Sequence, residues 1–196
     1  MILAIDTSSA ISAIALLRED GYVVREELAP SGPGFGVAAR VRALCGEEEL
    51  TKVAVATGPG SFTGLRAGVS FGLGLAMGLR VPIVPVATLA IQAARSAEPV
   101  VAVSEAGRGR VYHLAPGGTA GLGAPADLPR GWPLAGWLRP TTREALLAVG
   151  RTLKGDGELK TFGAAVAILL ESASEVAYGS LRMEYMQAFS ARTEAR

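Results

Sequence analysis

The sequence predicts an α/β protein built on a mixed β-sheet, and three features carry that prediction. Short apolar runs at 2–6, 11–17 and 22–28 are separated by polar turns, which is typical of an antiparallel meander. An uninterrupted apolar run at 53–57 is typical of a strand buried on both faces. The apolar spacing at 37–45 is that of a helix, so helices should flank the sheet.

The elements of the first half follow the order βββ-α-β-α-β. After the run 53–57, a Gly-rich loop leads into an apolar helix at 65–79 and then a strand near 83–87. This is the order of the ribonuclease H-like core found in actin-like ATPases and sugar kinases, although a fold does not fix a function. The buried face of the first helix is predicted to hold Val37, Val41, Leu44 and Cys45.

The second half of the chain has a different pattern of predicted elements. Runs at 100–103 and 110–115 predict a hairpin, whereas residues 116–140 hold five Pro and six Gly and predict irregular structure. We therefore expect two lobes with a mixed sheet and flanking helices in each. The predicted lobes are 1–98, with the ribonuclease H-like core, and a smaller, partly irregular lobe at 99–196.

Two helices are predicted in the second lobe. Residues 141–150 form a short one, in which Thr141 and Glu144 have capping-box spacing and Gly150 ends the helix. A second helix is predicted at 164–178.

The composition of the chain argues against several classes of protein. A net charge of +1 argues against a broad basic face for nucleic acid. The single Cys45 excludes an intrachain disulfide framework and suits a reducing compartment, so we expect a cytoplasmic protein. The helix at 65–79 would be about 22 Å long at about 1.5 Å per residue, short of a roughly 30 Å hydrocarbon core. It is therefore interpreted as a buried helix, with no membrane partner.

The Gly-rich loop GPGSFTGLR at 58–66 matches neither common phosphate-binding code. It lacks the Lys of a Walker loop, and its third Gly is one position late for a dinucleotide fingerprint. Two interpretations stay open. The glycines permit a tight turn while Ser61 or Thr63 caps the helix, or the helix N-terminus attracts an anion.

Glycine recurs every four residues in the apolar helix, at Gly64, Gly68 and Gly72. Each costs roughly 0.5–1 kcal/mol inside a helix relative to Ala, so close approach of another backbone should offset the cost. The opposing surface is either the protein's own sheet or another protein.

Candidate chemistry is sparse. His113 is the only histidine, so neither a structural zinc site nor a Ser-His-Asp triad is favoured. Asp6 is the best candidate for a magnesium site. The Asp6-Thr7-Ser8 turn could approach magnesium and phosphates, as the corresponding turn does in actin-like ATPases, or it could simply close a hairpin.

Three stretches together resemble one family. ILAIDTSS (2–9), GPGSFTGLRAGVSFGLGLA (58–76) and SEAGRGRVYH (104–113) resemble the TsaB (YeaZ) family of bacterial tRNA threonylcarbamoyladenosine biosynthesis proteins. EYMQAF (184–189) fits more loosely. At 105–107 this chain has Glu-Ala-Gly where the family usually has Asp-Ala-Arg.

The resemblance implies a non-catalytic scaffold and activator. In the family, the protein pairs with a paralogue, TsaD, which forms N6-threonylcarbamoyladenosine at position 37 of tRNAs that read codons beginning with A. The ATPase TsaE joins them, and the complex uses ATP and magnesium. The paralogue binds its metal through a His-x-x-x-His motif, which one histidine cannot supply. We therefore expect no catalytic residue, metal or cofactor in the isolated chain, tRNA contact only through the complex, and a homodimer when the paralogue is absent.

The resemblance also places two candidate sites. The first two helices form the surface that meets the paralogue, so the Gly stripe is assigned to that interface. The interface candidates are Ala38, Ala39, Arg42, Arg66, Gly68, Gly72, Leu75 and Ala76. The candidates for a vestigial nucleotide site are Asp6, Thr7, Ser8, Gly58 and Gly60.

A small ATP-binding kinase or ATPase of the same fold stays open as the alternative function.

Overall fold

The structure of the protein is a computed structural model, and the residues that it describes are 1–32 and 35–186. These residues form two β-sheets with helices packed around and between them. In chain order the elements are β1 (Ile2–Asp6), β2 (Ile11–Leu17), β3 (Val23–Pro30), α1 (Val37–Cys45), β4 (Lys52–Ala56), α2 (Phe62–Leu79), β5 (Ile83–Val86), α3 (Thr88–Ala94), β6 (Val101–Gly107), β7 (Arg110–Leu114), β8 (Gly121–Gly123), β9 (Leu134–Ala135), α4 (Pro140–Ala148) and α5 (Phe162–Leu170).

The first sheet is the predicted mixed sheet. Its strand order is β3-β2-β1-β4-β5, with β1, β2 and β3 antiparallel and β1, β4 and β5 parallel. The central strand β1 is buried along its whole length, and β4 is buried beyond its first residue. Strands covered on both faces can be apolar throughout, which explains the uninterrupted runs in the sequence.

Helices cover both faces of this sheet. Successive side chains of a strand point to opposite faces. Leu3 and Ile5 therefore pack toward α1 and α2, while Ala4 packs toward α3 and α5. In α1, the predicted apolar face is confirmed: Val37 is half-buried, and its other members, Val41, Leu44 and Cys45, are buried.

Helix α2 is longer than predicted and less buried. It begins after Ser61, whose Oγ accepts a hydrogen bond from Gly64 N at 3.3 Å, so the predicted cap is confirmed. Its 18 residues have a mean hydropathy of 1.2, which by length and composition alone is enough to cross a membrane. Only 28% of them are buried, so the predicted buried helix is buried along one stripe only.

The second sheet has the strand order β8-β7-β6-β9. The hairpin predicted around EAGRG (105–109) is confirmed, because β6 and β7 pair antiparallel across a turn at Arg108 and Gly109. The Pro/Gly-rich stretch is less irregular than predicted, since it supplies the short edge strands β8 and β9.

The predicted division into lobes at 98 and 99 is wrong for the end of the chain. Helix α5 packs on the first sheet, where Gly163 N donates to Glu26 Oε2 at 2.9 Å. Farther on, Val176 pairs with Ile83 at the edge strand β5. Composition does not reveal which sheet a helix will cover, so the sequence could not show this return to the first lobe.

Three helices differ from those predicted from the sequence. Helix α3 was missed, because seven residues are too few for a periodic pattern. Helix α5 ends at Leu170, where a turn at Glu171 and Ser172 is followed by irregular chain up to Val176. In α4, Gly150 follows the helix with a φ of 75°, as predicted, but the Thr141–Glu144 capping box does not form.

Candidate functional site

The turn after β1 is closed by its own hydrogen bonds. Asp6 Oδ1 accepts from Ser8 N at 2.7 Å and from Ser8 Oγ at 2.6 Å. Asp6 is fully buried, and its Oδ2 has no hydrogen-bond partner within the described residues. Burial raises the pKa of the Asp6 carboxyl above its ordinary value, although the two bonds from Ser8 oppose the shift. This geometry is that of an Asx turn, one of the two interpretations that the residues left open.

The Gly-rich loop packs directly on that turn. Ser61 N donates to Ser8 O at 2.7 Å, and Thr7 Oγ1 donates to Gly64 O at 2.6 Å. A Cβ atom added at Gly60 would lie 2.5 Å from Ser8 O, so glycine is required there by the close approach of the two backbones. The glycines of the loop therefore allow its backbone to pack against the turn between β1 and β2.

The five nucleotide-site candidates thus lie together, but they are bonded to one another and to neighbouring chain. Gly58 has a φ of 109°, and its carbonyl oxygen accepts from Thr88 N at 2.8 Å. A Cβ atom at Gly58 would lie 2.8 Å from Glu184 O. The predicted residues are therefore brought to one place, where protein atoms surround them.

Three further polar residues at this place, Ser9, Thr88 and Ser104, were not among the candidates chosen from the sequence. Ser8 Oγ lies 2.9 Å from Thr88 Oγ1, and Ser9 Oγ lies 3.4 Å from Ser104 Oγ. Both Thr88 and Ser104 come directly after an apolar run of the sequence, and a polar residue in that position is a signal that could have found them. All four hydroxyls are buried where the two sheets approach each other.

The segment after α5 covers the Gly-rich loop. Tyr178 Oη donates to Val81 O at 2.9 Å, which holds the segment beside the end of α2. Glu184 N then donates to Thr57 O at 2.8 Å, and the ring centroids of Tyr185 and Phe62 lie 5.4 Å apart. Residues 187–189 of the EYMQAF stretch lie outside the described residues.

The assignment of the Gly stripe to a partner interface is wrong. Gly68 and Gly72 are buried, and a Cβ atom at either position would collide with the side chain of Thr7 or Val55, respectively. Ala76 is also fully buried. Glycine and alanine let α2 lie close on its own sheet, and this packing offsets the cost of glycine in a helix.

The remaining interface candidates lie on or beside the outer surface. Ala38, Ala39 and Arg42 of α1 are exposed. On α2, Arg66 is exposed with its guanidinium carbon 3.8 Å from the Phe62 ring centroid, and Leu75 is half-buried. The structure adds Ala67, Ser70, Gly74 and Met77 to this surface. We call these exposed residues the α1–α2 face: Ala38, Ala39, Arg42, Arg66, Ala67, Ser70, Gly74 and Met77.

The α1–α2 face is apolar and basic. Neither helix contains an Asp or a Glu. Met77 keeps 53% of its surface exposed. An exposed patch of small apolar residues with arginines is typical of a surface that binds another protein.

The single histidine and the single cysteine lie in separate packed environments. The ring of His113 packs against Gly121, and burial lowers its pKa. Its Nδ1 is buried with no hydrogen-bond partner among the residues that the structure describes. Burial raises the pKa of the Cys45 thiol on the inner face of α1. Within residues 1–32 and 35–186, no group of three or more His, Cys, Asp or Glu residues is placed to hold a metal ion.

Sequence comparison agrees with the motifs. Residues 40–124 match the family model described as TsaD, tRNA N6-adenosine threonylcarbamoyltransferase. The chain is 40% identical over 121 residues to the tRNA threonylcarbamoyladenosine biosynthesis protein TsaB of Bacillus subtilis, and 31% identical over 121 residues to the protein of the same name from Escherichia coli. Each alignment covers 57% of this chain and 52% of the relative, so the chain spans about half the length of these relatives.

Solved structures extend the likeness to nearly the whole fold. YeaZ from Pseudomonas aeruginosa superposes with a TM-score of 0.71 at 22% identity, over 94% of this chain and 99% of that chain. A crystal structure of a protein described as similar to peptidase YeaZ from Pseudomonas aeruginosa superposes with a TM-score of 0.74 at 24% identity, over 95% and 99%. The predicted actin-like, ribonuclease H-like fold is therefore confirmed. Sequence and fold together also confirm what the three stretches predicted, that this chain resembles the TsaB (YeaZ) family.

Proposed function

We propose that this chain is the non-catalytic partner of a TsaD-type transferase in the complex that forms N6-threonylcarbamoyladenosine at position 37 of tRNAs reading codons that begin with A. The names of the curated relatives and the description of the matching family model support this pathway. The observation that carries the partner role is the α1–α2 face, an apolar and basic surface on two adjacent helices.

The proposal assigns ATP and magnesium to the complex, with a TsaE-type ATPase, and none to the isolated chain. Two features support this. Asp6 Oδ1 is engaged by Ser8, and the Gly-rich loop is packed on the same turn and covered by residues near Glu184. The alternative, a small kinase or ATPase, would need these residues for magnesium and phosphates.

A binding titration with the TsaD-type paralogue tests the proposal. Met77→Asp places a negative charge on the α1–α2 face, near the end of α2, and should weaken binding at least about 10-fold, equivalent to about 1.4 kcal/mol. Formation of the modified nucleoside by the reconstituted complex should fall in parallel at limiting concentrations.

Leu147→Asp is the matched control. Leu147 lies on α4 with 51% of its surface exposed, close to the 53% of Met77. The Leu147→Asp variant should bind the paralogue with the same affinity as the parent protein. Equal affinity of both variants and the parent would contradict the assignment of the α1–α2 face. Light scattering on the chain alone would show whether a second copy uses the same face.

A further inference from the structure

We propose that a cleft in the second lobe binds a nucleotide, with its phosphate at Arg130 and its base on the indole of Trp132. The cleft has a volume of about 400 Å³, within the roughly 300–1,000 Å³ of small-molecule sites. One wall is the loop that leads into β9, and the other is the turn that follows α4. It is lined by Arg130, Gly131, Trp132, Pro133, Gly150, Arg151 and Thr152.

The two walls are joined by hydrogen bonds, so the cleft is formed before a ligand arrives. Arg151 is buried, and its guanidinium donates to Leu128 O at 2.7 Å and to Pro129 O at 2.5 Å. Leu134 N donates to Thr152 O at 2.8 Å just behind the cleft. A pre-formed site loses less conformational entropy when the ligand binds, because its loops are already ordered.

The charge of the cleft favours an anion. Of the described residues that line it, two are arginines and none carries a carboxylate. Within the described residues, neither Arg130 nor Arg151 lies within 4.0 Å of a carboxylate oxygen. Burial, and to a lesser degree repulsion from the nearby charge of Arg130, lower the pKa of Arg151. A bound anion would relieve this repulsion, and guanidinium groups suit the geometry of phosphate.

The indole makes the ligand a nucleotide rather than a simple anion. Trp132 keeps 40% of its surface exposed beside the arginines, whereas the other tryptophan, Trp137, is buried beneath the guanidinium of Arg95. Gly131 turns the chain between Arg130 and Trp132 with a φ of 97°. Exposed aromatic rings next to basic groups stack nucleobases while the cation takes the phosphate.

Tryptophan fluorescence provides a direct measurement. Adenosine monophosphate is titrated into the full chain, and stacking should quench the emission of Trp132 while that of Trp137 stays unchanged. Adenosine and inorganic phosphate are titrated separately by calorimetry, and both should bind at least about 5-fold more weakly than the nucleotide. A short single-stranded ribooligonucleotide is the fourth probe, and tighter binding than the mononucleotide would identify RNA as the source of the nucleotide.

Two variants and a control assign the contacts. Trp132→Ala should weaken binding of adenosine monophosphate about 5- to 150-fold, the range for loss of a stacked base. Arg130→Ala should weaken it about 10- to 150-fold, the range for loss of a hydrogen bond to a charged group. Trp132→Phe keeps an aromatic ring, so it should retain most of the affinity by calorimetry while the quenching disappears. Arg139→Ala removes an exposed arginine outside the cleft and should bind like the parent.

Since Arg130 and Trp132 are exposed, thermal melts of these variants should match the parent. The proposal is overturned if neither the mononucleotide nor the oligonucleotide binds. It is equally overturned if adenosine binds as tightly as its monophosphate, or if Arg130→Ala and Trp132→Ala keep full affinity.

Discussion

The hydroxyl of Thr7 donates a 2.6 Å hydrogen bond to the carbonyl oxygen of Gly64, which joins the turn after the first strand to the first turn of α2. One helical turn later, the Thr7 side chain fills the space beside Gly68. The Gly stripe therefore stabilises the first lobe from within. The α1–α2 face left outside is the one proposed for the partner.

Gly72→Ala should destabilise the protein itself. A Cβ atom there would collide with Val55 Cγ1 in the middle of the sheet, and overpacking of this kind costs about 1–3 kcal/mol. Gly74→Ala is the matched control, because Gly74 lies in the same helix and no atom of the described part of the chain comes within 4 Å of a Cβ added there. It should raise the free energy of unfolding by about 0.5–1 kcal/mol. Urea unfolding measures both, and a stable Gly72→Ala variant would show that the helix does not pack this closely.

Asp6→Asn should change how stability depends on pH. Burial raises the pKa of Asp6 above its unfolded value of about 3.9, so the folded state binds the proton more tightly than the unfolded state does. In the parent, the free energy of unfolding should therefore fall as the pH rises from about 4 through the folded pKa. Asn keeps an acceptor for Ser8 and carries no charge, so the variant should lack this fall.

Thermal melts of parent and Asp6→Asn at several pH values measure the effect. The variant should gain stability relative to the parent as the pH rises, and differ from it by no more than about 1 kcal/mol at low pH, the worth of one hydrogen bond. A variant that weakens relative to the parent as the pH rises would instead show that the ionised carboxylate is needed, as the kinase or ATPase alternative requires.

Arg95 should contribute more to stability than its ion-pair partner Asp156. Arg95 is buried, donates to Asp156 Oδ1 at 2.9 Å and to Gln92 Oε1 at 3.1 Å, and covers the Trp137 ring at 4.3 Å. Arg95→Met should cost about 1.5–3 kcal/mol, the worth of a hydrogen bond to a charged group. Asp156→Asn should cost less than about 1 kcal/mol, because that carboxylate is exposed. Equal losses in urea unfolding would contradict this ranking.

Glu105→Ala should weaken the start of α4. The Glu105 carboxylate accepts from Arg139 N at 2.6 Å and from Thr142 Oγ1 at 3.1 Å, so it caps a helix far from it in sequence. Loss of a helix cap costs about 0.5–2 kcal/mol. Glu144→Ala is the control and should be nearly neutral, since the capping box predicted for it does not form. Amide hydrogen exchange should show earlier exchange in α4 for Glu105→Ala alone.

Local pattern was enough to predict the first sheet and its surroundings. The apolar runs, the face of α1 and the cap at Ser61 depend on neighbours within a few residues, which the sequence displays directly. The same holds for the Asp6-Thr7-Ser8 turn and for the glycine spacing in α2. The motifs that resemble the TsaB (YeaZ) family lie in this well-predicted half.

Long-range packing decided the rest, because no local pattern records which surfaces meet. The glycines of α2 could face a partner or the sheet, and the collision of an added Cβ with Val55 settles the question. The return of α5 to the first sheet, the cap from Glu105 to α4 and the meeting of Ser9 with Ser104 join residues that are far apart in the chain. Each is stabilised by burial and hydrogen bonds that exist only once the chain has folded.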